Sequence, residues 1–476
     1  MDNADIRNSG FPLCVDLDGT LLKSDLLYES LLALLRANPL YLLLLPWWLL
    51  RGKAALKRAI ASRVRLDTAS LPYDRRVLAL ADQHVGPRVL CTASDSELAE
   101  SVASHLGLFD TVIASDGRSN LNGSRKAQAL IERYGTQGFV YAGNSRIDLQ
   151  VWRHARSAWV VNATASLAAA AARVCEVAGT LPAQGGGVRT WLKAIRLHQW
   201  LKNLLVLIPL LASHQFVEPG SVIAALTAFL AFGLCASGVY VLNDLLDLPA
   251  DRQHPSKRLR PFAAGNLPLL HGLIAAPALT LAGFTLALSC NLQFVLTLGV
   301  YYLVTLGYSL HLKRIVMLDV VILAALYTLR IIGGAMAIAT ELSFWLLAFS
   351  MFIFLSLAML KRYVELGITL SNGKVHASGR GYAVDDLPLL QSLGAASGYI
   401  AVLVLALYIN SPESLELYSR PQLLWLLCPI LLYWISRVWV VAHRGGMHDD
   451  PVVFAATDRM SQCLLALGAL IVVGAI

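Results

Sequence analysis

The densest chemistry in this sequence lies between residues 243 and 260. Asn243-Asp244 is followed by Asp247 and Asp251, then by Arg252, His254, Lys257, Arg258 and Arg260. On a helix, positions i, i+3 and i+7 share one face. Three carboxylates on one face repel one another unless a cation binds, and Mg2+ favours a few carboxylates completed by substrate phosphates. Asp244, Asp247 and Asp251 are therefore expected to be Mg2+ ligands and catalytic residues acting on a diphosphate. Asn243, Lys257, Arg258 and Arg260 are candidates for the remaining phosphate contacts. The basic residues alone would serve equally well to set membrane topology.

A second constellation lies near the N-terminus. The apolar run Phe11 to Val15 ends in Asp16-Leu17-Asp18-Gly19-Thr20. Two carboxylates two residues apart at the end of a strand can divide labour, one attacking and the other handling a proton. Val89-Leu90-Cys91-Thr92 reads as a second short strand ending in a hydroxyl, Lys126 opens a helical segment, and Phe139 to Asp148 (FVYAGNSRID) ends in an acid.

The elements that must position these groups follow from composition. The chain has 476 residues, of which 56% are apolar and 15% charged, with a net charge of +8; mean hydropathy is +0.58. Typical soluble domains carry about 25% charged residues, so a wholly soluble protein, a disordered chain and a disulfide-rich scaffold are excluded. Charge is uneven: 37 charged residues fall in 1–187 and only 33 in 188–476. The expected division is a globular domain over 1–178, a glycine-rich linker over 179–188 and a membrane domain over 189–476. The polar N-terminus has no apolar run of the signal-peptide kind. Seven scattered cysteines without a CxxC indicate neither a disulfide framework nor a zinc site.

Nine apolar stretches are long enough to cross a bilayer, at roughly 203–219, 221–242, 269–289, 291–311, 317–338, 342–360, 390–410, 421–441 and 460–476. Basic residues crowd the segment before the first span and the even-numbered loops, Lys374 among them, while the odd-numbered loops hold Arg420 alone. The globular domain and the even-numbered loops are thus expected on the cytoplasmic side, with the C-terminus outside. Leu31 to Leu50 is nearly long enough to span, but holds Arg36, Asn38, Pro39 and Pro46. It reads as helices lying on the membrane surface, with Trp47 and Trp48 at headgroup level, or else as a hairpin inside the globular domain. Arg330 lies about 16 Å into the fifth span from Asp319, and charges buried in membranes are usually functional.

The first half resembles the haloacid dehalogenase superfamily of phosphatases. Asp16-Leu17-Asp18-Gly19-Thr20 is similar to its motif I, Thr92 to motif II, Lys126 to motif III and the segment ending at Asp148 to motif IV. The resemblance implies a Rossmann-like α/β domain with a small helical insert between Leu22 and about Pro72. It implies Asp16 as phosphoryl acceptor, Asp18 as acid/base, Thr92 and Lys126 on the phosphate, and Mg2+ held among Asp16, Asp18 and Asp148. Asn144 stands where that family usually has an acid, which removes one negative charge from the metal site.

The second half resembles the UbiA-type prenyltransferase superfamily, through Asn243 to Asp251 (NDLLDLPAD) and the following HPSKRLRPFAAG. That resemblance implies an all-α domain of nine transmembrane helices. The second aspartate-rich motif of aromatic prenyltransferases is replaced by Lys361-Arg362-Tyr363-Val364-Glu365-Leu366. With Gln199 to Asn203 (QWLKN), Tyr308 to Lys313 (YSLHLK), Asp319, and Arg444 to Pro451 (RGGMHDDP), this is similar to the decaprenyl-phosphate phosphoribosyltransferase branch. The implied reaction moves a 5-phosphoribosyl group from 5-phosphoribosyl 1-diphosphate to a polyprenyl phosphate. Lys202, Tyr308, Lys313, Arg330, Lys361, Arg362 and Arg444 are then candidates for donor or acceptor phosphate contacts. His448, Asp449 and Asp450 could add a metal ligand, though ordering a loop suits them better.

Three readings stay open: a fused transferase and phosphatase giving polyprenyl-phosphoryl ribose in a bacterial inner membrane, transfer from a prenyl diphosphate to an aromatic acceptor, and a transporter or lipid-binding protein with a sensory domain. The cationic face suits phosphate rather than nucleic acid. The sequence leaves the oligomeric state open.

Overall fold

The structure, a computed structural model, describes residues 10–373, 375, 380–447 and 450–476. Lys374, His448 and Asp449 lie outside the described residues. Two compact units form: residues up to Ile195 together with Tyr240–Pro277, and Arg196–Val239 together with Ala278–Ile476. These units run differently from the division read in the sequence: residues up to Ile195 and a later segment fall in the first unit. The segment carrying the aspartate cluster folds with the N-terminal unit.

That unit is built on a six-stranded parallel sheet in the order β3-β2-β1-β4-β5-β6. The strands are β1 (Leu13–Val15), β2 (Arg88–Asp95), β3 (Thr111–Ser115), β4 (Val140–Gly143), β5 (Ser157–Ala163) and β6 (Glu176–Pro182). Side chains alternate between two cores, as period-two geometry requires. Leu13, Val15 and Leu90 pack with Val77 and Val102 on one face. Cys14, Val89 and Cys91 pack with Leu130, Tyr141 and Trp152 on the other. Both faces are covered, as in parallel sheets generally. Chain order reverses at β1, which lies between β2 and β4. A crevice at such a switch point, beyond the carboxyl ends of the strands, is where α/β sheets bind ligands.

The expected insert is helical. Its first long helix, α1 (Leu26–Ala37), is capped by Asp25, whose side chain accepts from Leu27 N. The helix stops at Asn38, which is extended before Pro39. Short turns and the helix Leu45–Leu50 lead to α2 (Lys53–Ala61). Leu31 to Leu50 is therefore not one rod. Trp48, placed at headgroup level by the sequence reading, is buried against Leu34 and Ile60. Trp47 remains exposed with Leu40, Leu43 and Leu50. Strand β6 extends to Pro182, so the first four residues of the expected linker are strand.

Among the described residues, seven helices are long and apolar enough to cross a membrane: α4 (Pro219–Leu246), α6 (Leu269–Ala287), α7 (Leu292–Leu310), α8 (Leu318–Ala337), α9 (Phe344–Ser371), α10 (Val384–Ile409) and α11 (Pro421–His443). An eighth span arises if α12 (Pro451–Thr457) and α13 (Arg459–Ala475), bent by 76°, are taken together. The remaining two helices in this numbering are α3 (Gly123–Tyr134) and α5 (Leu248–Gln253). The expected first span, 203–219, is replaced by a short helical segment, Leu197–Ala212, interrupted by 3-10 geometry. Helix α9 extends well past residue 360, so Lys361 and Arg362 sit on a helix and not in a loop.

The short segment reaches α8 through a glycine. A Cβ on Gly334 would lie 2.0 Å from the Val206 carbonyl oxygen, a backbone atom that cannot move alone. Small residues serve this purpose between membrane helices. Gly334→Ala should destabilise the protein by about 1–3 kcal/mol. Gly299→Ala, where nothing lies within 4 Å, should be neutral or slightly stabilising. Thermal unfolding in detergent compares the two.

Candidate functional site

In the N-terminal unit, Asp16 follows β1 and Asp18 follows it by two residues, both at the carboxyl end of the central strand. Lys126, on the first turn of α3, donates from Nζ to Asp16 Oδ1 at 2.7 Å and to Tyr141 Oη at 3.0 Å. Tyr141 Oη donates in turn to Asp148 Oδ1 at 3.0 Å. Asp148 Oδ2 accepts from Asn144 N, Ser145 N and Ser145 Oγ at 3.0, 2.9 and 2.8 Å. Asp18 accepts from Leu26 N at 2.8 Å, from Ser94 Oγ at 2.6 Å and from Thr92 Oγ1 at 3.4 Å. The fold thus gathers Asp16, Asp18, Thr92, Lys126 and Asp148 from positions spread over 133 residues. Gly19 has φ +74°, and a Cβ there would lie 2.1 Å from Asn144 Nδ2, so glycine lets this amide close over the turn.

The electrostatics follow from burial. Burial pushes the Asp16 carboxyl up; Lys126 opposes this, Asp148 and Asp18 reinforce it, and the result is about 7. Burial also pushes Asp18 up, helped by Asp25 and resisted by Leu26 N–H and Ser94, to about 6. Burial disfavours the Lys126 charge, but Asp16 and the other acidic groups outweigh it and hold the ammonium above the usual lysine range. Lys57 of α2 donates to Ala93 O at 2.6 Å and to Asn120 Oδ1 at 3.3 Å; burial draws its pKa down against Asp18 and Asp25. Ser94, Tyr141 and Lys57 were not found by sequence reasoning. Ser94 had a signal, standing two residues beyond Thr92 on the same strand face; Lys57 had none.

In the aspartate segment, helix α4 ends at Leu246, Asp247 stands at the N-cap position of the next helix without a side-chain capping bond, and α5 has Pro249 near its start. The one-helix face expected for the three aspartates is therefore broken, because Pro249 lacks the N–H a continuous helix needs. Asp244 and Asp251 are buried and converge on one guanidinium: Arg260 Nη1 lies 3.2 Å from Asp244 Oδ1 and 2.6 Å from Asp251 Oδ2. Asp247 is half-buried, and Lys257 and Arg258 are exposed. Asn243 accepts the Asp247 N–H through its carbonyl at 2.9 Å.

No group of three or more His, Cys, Asp or Glu side chains is placed to hold a metal among the described residues. In the head, Asp148 is saturated by hydrogen bonds and Asp16 is paired with Lys126. In the aspartate segment, Arg260 occupies the place between two carboxylates. Two buried carboxylates meeting at one cationic centre are nonetheless a hard-oxygen donor set that suits Mg2+ carrying a diphosphate.

The second unit sorts its charges into three clusters. Lys202 and Lys361 both reach Asp450 Oδ2, at 2.7 and 2.6 Å. Burial would raise the Asp450 carboxyl, but the two ammoniums hold it well below the usual carboxylate range. Arg362 is fully buried and donates to Asp319 at 2.5 Å, Glu365 at 2.6 Å and Tyr308 Oη at 3.0 Å, while Tyr382 Oη donates to Asp319 at 2.5 Å. Arg330 donates to Asn203 Oδ1, Leu326 O and Tyr301 Oη at 2.9, 2.7 and 2.8 Å. Asn203 Nδ2 is left a buried donor without a partner among the described residues. Arg330 and Arg362, expected to touch substrate phosphate, thus spend their donors on the protein. Lys313 is half-buried in the turn after α7, and Arg444 is exposed after α11.

Long apolar helices carrying buried ionic clusters, together with a parallel α/β unit, define a multi-pass integral membrane protein. Residues 205–457 match the UbiA prenyltransferase family, more than half of the chain, and the protein belongs to that family. It is 38% identical over 462 residues to the uncharacterized protein y4nM of Sinorhizobium fredii, covering 96% of this chain and 89% of that one. It is 32% identical over 286 residues to the decaprenyl-phosphate phosphoribosyltransferase of Mycolicibacterium smegmatis, covering 57% of this chain and 88% of that one. Among solved structures, a UbiA homolog from Archaeoglobus fulgidus bound to GPP and Mg2+ aligns at 14% identity and TM-score 0.47, covering 60% of this chain and 99% of that one.

Two predictions follow from the buried charges. Because the folded-state pKa values of Asp16 and Asp18 are raised, the unfolded chain binds fewer protons between about pH 4 and 7, so stability falls as pH rises through that window. In chelator, the N-terminal unit should melt at a lower temperature at pH 8 than at pH 5, and Asp16→Asn should flatten this slope; calorimetry reads both. Arg362→Leu removes the nearest cation from buried Asp319, leaving it Tyr382 and, at 3.4 Å, Arg380, and should cost about 3 kcal/mol. Arg362→Leu with Asp319→Leu should recover much of that loss in the same melting assay.

Proposed function

We propose that the protein moves a 5-phosphoribosyl group from 5-phosphoribosyl 1-diphosphate to a polyprenyl phosphate, and that its N-terminal unit, a haloacid dehalogenase-like phosphatase, then removes the 5-phosphate. The observation that carries the transferase reading is the meeting of buried Asp244 and Asp251 at one cationic centre. The similarity to a decaprenyl-phosphate phosphoribosyltransferase supports the choice of donor and acceptor. Lys361 and Arg362, standing where aromatic prenyltransferases carry a second acidic motif, count against a prenyl diphosphate donor.

In this reading Asp244, Asp247 and Asp251 would hold Mg2+, which when bound would neutralise the diphosphate leaving group of the donor. The donor C1–O bond breaks, diphosphate departs, and an oxygen of the lipid phosphate forms the new bond to C1. The protein supplies no nucleophile; positioning and charge lower the barrier. Lys202, Lys361 and the unpartnered Asn203 amide suit the acceptor phosphate, while Arg330 and Arg362 act as positioning residues. In the phosphatase step an Asp16 oxygen attacks the 5-phosphate and Asp18 protonates the sugar oxygen that leaves. Water, deprotonated by Asp18, then releases inorganic phosphate from Asp16. A first site that feeds a second on the same chain gains from high local concentration. The proposed setting is a bacterial inner membrane, with nine spans counting the short Leu197–Ala212 segment, the N-terminal unit inside and exposed Leu43, Trp47 and Leu50 on the lipid surface.

Purified protein given labelled donor, polyprenyl phosphate and Mg2+ should yield polyprenyl-phosphoryl ribose by mass spectrometry. Asp244→Ala or Asp251→Ala should lower lipid labelling at least about 100-fold. Asp16→Asn should leave labelling intact and stop the product at the 5-phosphate. Turnover of a prenyl diphosphate with an aromatic acceptor, and none with the phosphoribosyl donor, would sink the proposal.

A further inference from the structure

The N-terminal unit holds a cavity of about 510 Å3 whose walls come from two distant parts of the chain. Asp18 and Asn144 line one part of it. Gln184, Asn266, Leu270 and His271 line another, and the last two stand in the first turn of α6, a helix apolar and long enough to cross a membrane. The segment that supplies this wall is fastened down. Arg252 makes a two-pronged ion pair with Glu29 of α1, at 2.5 and 3.1 Å, with both side chains almost wholly buried. Arg252 Nε also donates to Ala263 O at 3.1 Å, holding the stretch that leads to Asn266. Gly265 lies so close to Lys23 that a Cβ there would approach to 2.6 Å.

One further observation points to a ligand. Ser24 lines the cavity and is 7% exposed, and its hydroxyl has no hydrogen-bond partner among the described residues. A buried hydroxyl left without a partner is costly, and turning the Ser24 side chain toward a polar group bound in the cavity would remove that cost. The surrounding polar groups are amides, an imidazole, a phenol, the Lys23 ammonium and the carboxylates of Asp18 and Asp25, a set able to hydrogen-bond sugar hydroxyls. Beyond them the wall turns apolar at a candidate membrane span. We propose that this cavity is the binding subsite of the phosphatase unit for a sugar phosphomonoester that is still attached to a membrane lipid. Asn266 and His271, contributed from outside the N-terminal domain, are its specificity-determining residues. The inference rests on the phosphatase reading above and adds the substrate class and the residues that select it.

The test uses the full-length protein in lipid vesicles with two substrates: lipid-linked 5-phosphoribose made in place, and p-nitrophenyl phosphate. Asn266→Ala with His271→Ala should raise KM for the lipid-linked substrate about tenfold, the loss of two modest hydrogen bonds, with kcat nearly unchanged. Hydrolysis of p-nitrophenyl phosphate should stay within about twofold. Ser24→Ala, which opens almost no void, should raise the same KM several-fold and likewise spare the soluble ester. Equal loss on both substrates, or no change on either, overturns the subsite while leaving the phosphatase reading intact. A wild-type protein that hydrolyses p-nitrophenyl phosphate but not the lipid-linked ester also overturns it. A wild-type protein inert toward both overturns the phosphatase reading and the subsite with it.

Discussion

A carboxylate removed from water must meet a cation or several donors, and in this protein that requirement fixes the position of almost everything chemical. Asp16 meets Lys126, Glu29 meets Arg252, Asp244 and Asp251 share Arg260, Asp319 takes Arg362, and Asp450 takes Lys202 and Lys361. Asp148, lacking a cation, accepts from a phenol, a hydroxyl and two backbone N–H groups. The Asp16, Glu29, Asp319 and Asp450 pairings join residues distant in the chain, so each is also a statement about which elements lie together. Breaking one strands a charge where water cannot reach it.

The pairings are not equivalent. Arg362 and Arg330 have their donors committed to several protein acceptors, which suits a bolt between helices. The Lys202 and Lys361 ammoniums converge on one carboxylate oxygen and so leave a net positive charge. The Asp244–Arg260–Asp251 arrangement has the opposite sign, two acids around one base. These differences distinguish charges whose partners balance them within the protein from clusters that keep a net charge. Residue type alone could not separate them.

The middle of the parallel sheet was legible because β1 and β2 are short apolar runs that lead into Asp16 and Thr92, and the long helices because a bilayer's thickness demands about twenty apolar residues. Ends were less legible. Helix α9 continues beyond residue 360 because Lys361 and Arg362 find partners along a helix that hydropathy alone would have closed. The span expected at 203–219 shortens, since the chain there turns through 3-10 geometry. Trp48 looked like a headgroup anchor beside Trp47. Only the fold of α1 against α2 shows that the first tryptophan faces out and the second faces Leu34 and Ile60.

By itself the sequence determined that the protein is a multi-pass membrane protein with a globular part, and it marked the two aspartate constellations, because hydropathy, charge and short-range spacing are local properties. Tertiary structure alone decided that residues 240–277 fold with the N-terminal unit, that Ser94, Tyr141 and Lys57 join Asp16 and Asp18, and that Arg260 stands between Asp244 and Asp251. Those outcomes depend on which buried charge finds which partner across a hundred residues or on a turn that breaks a helix. No spacing rule encodes a contact whose energy comes from excluding water.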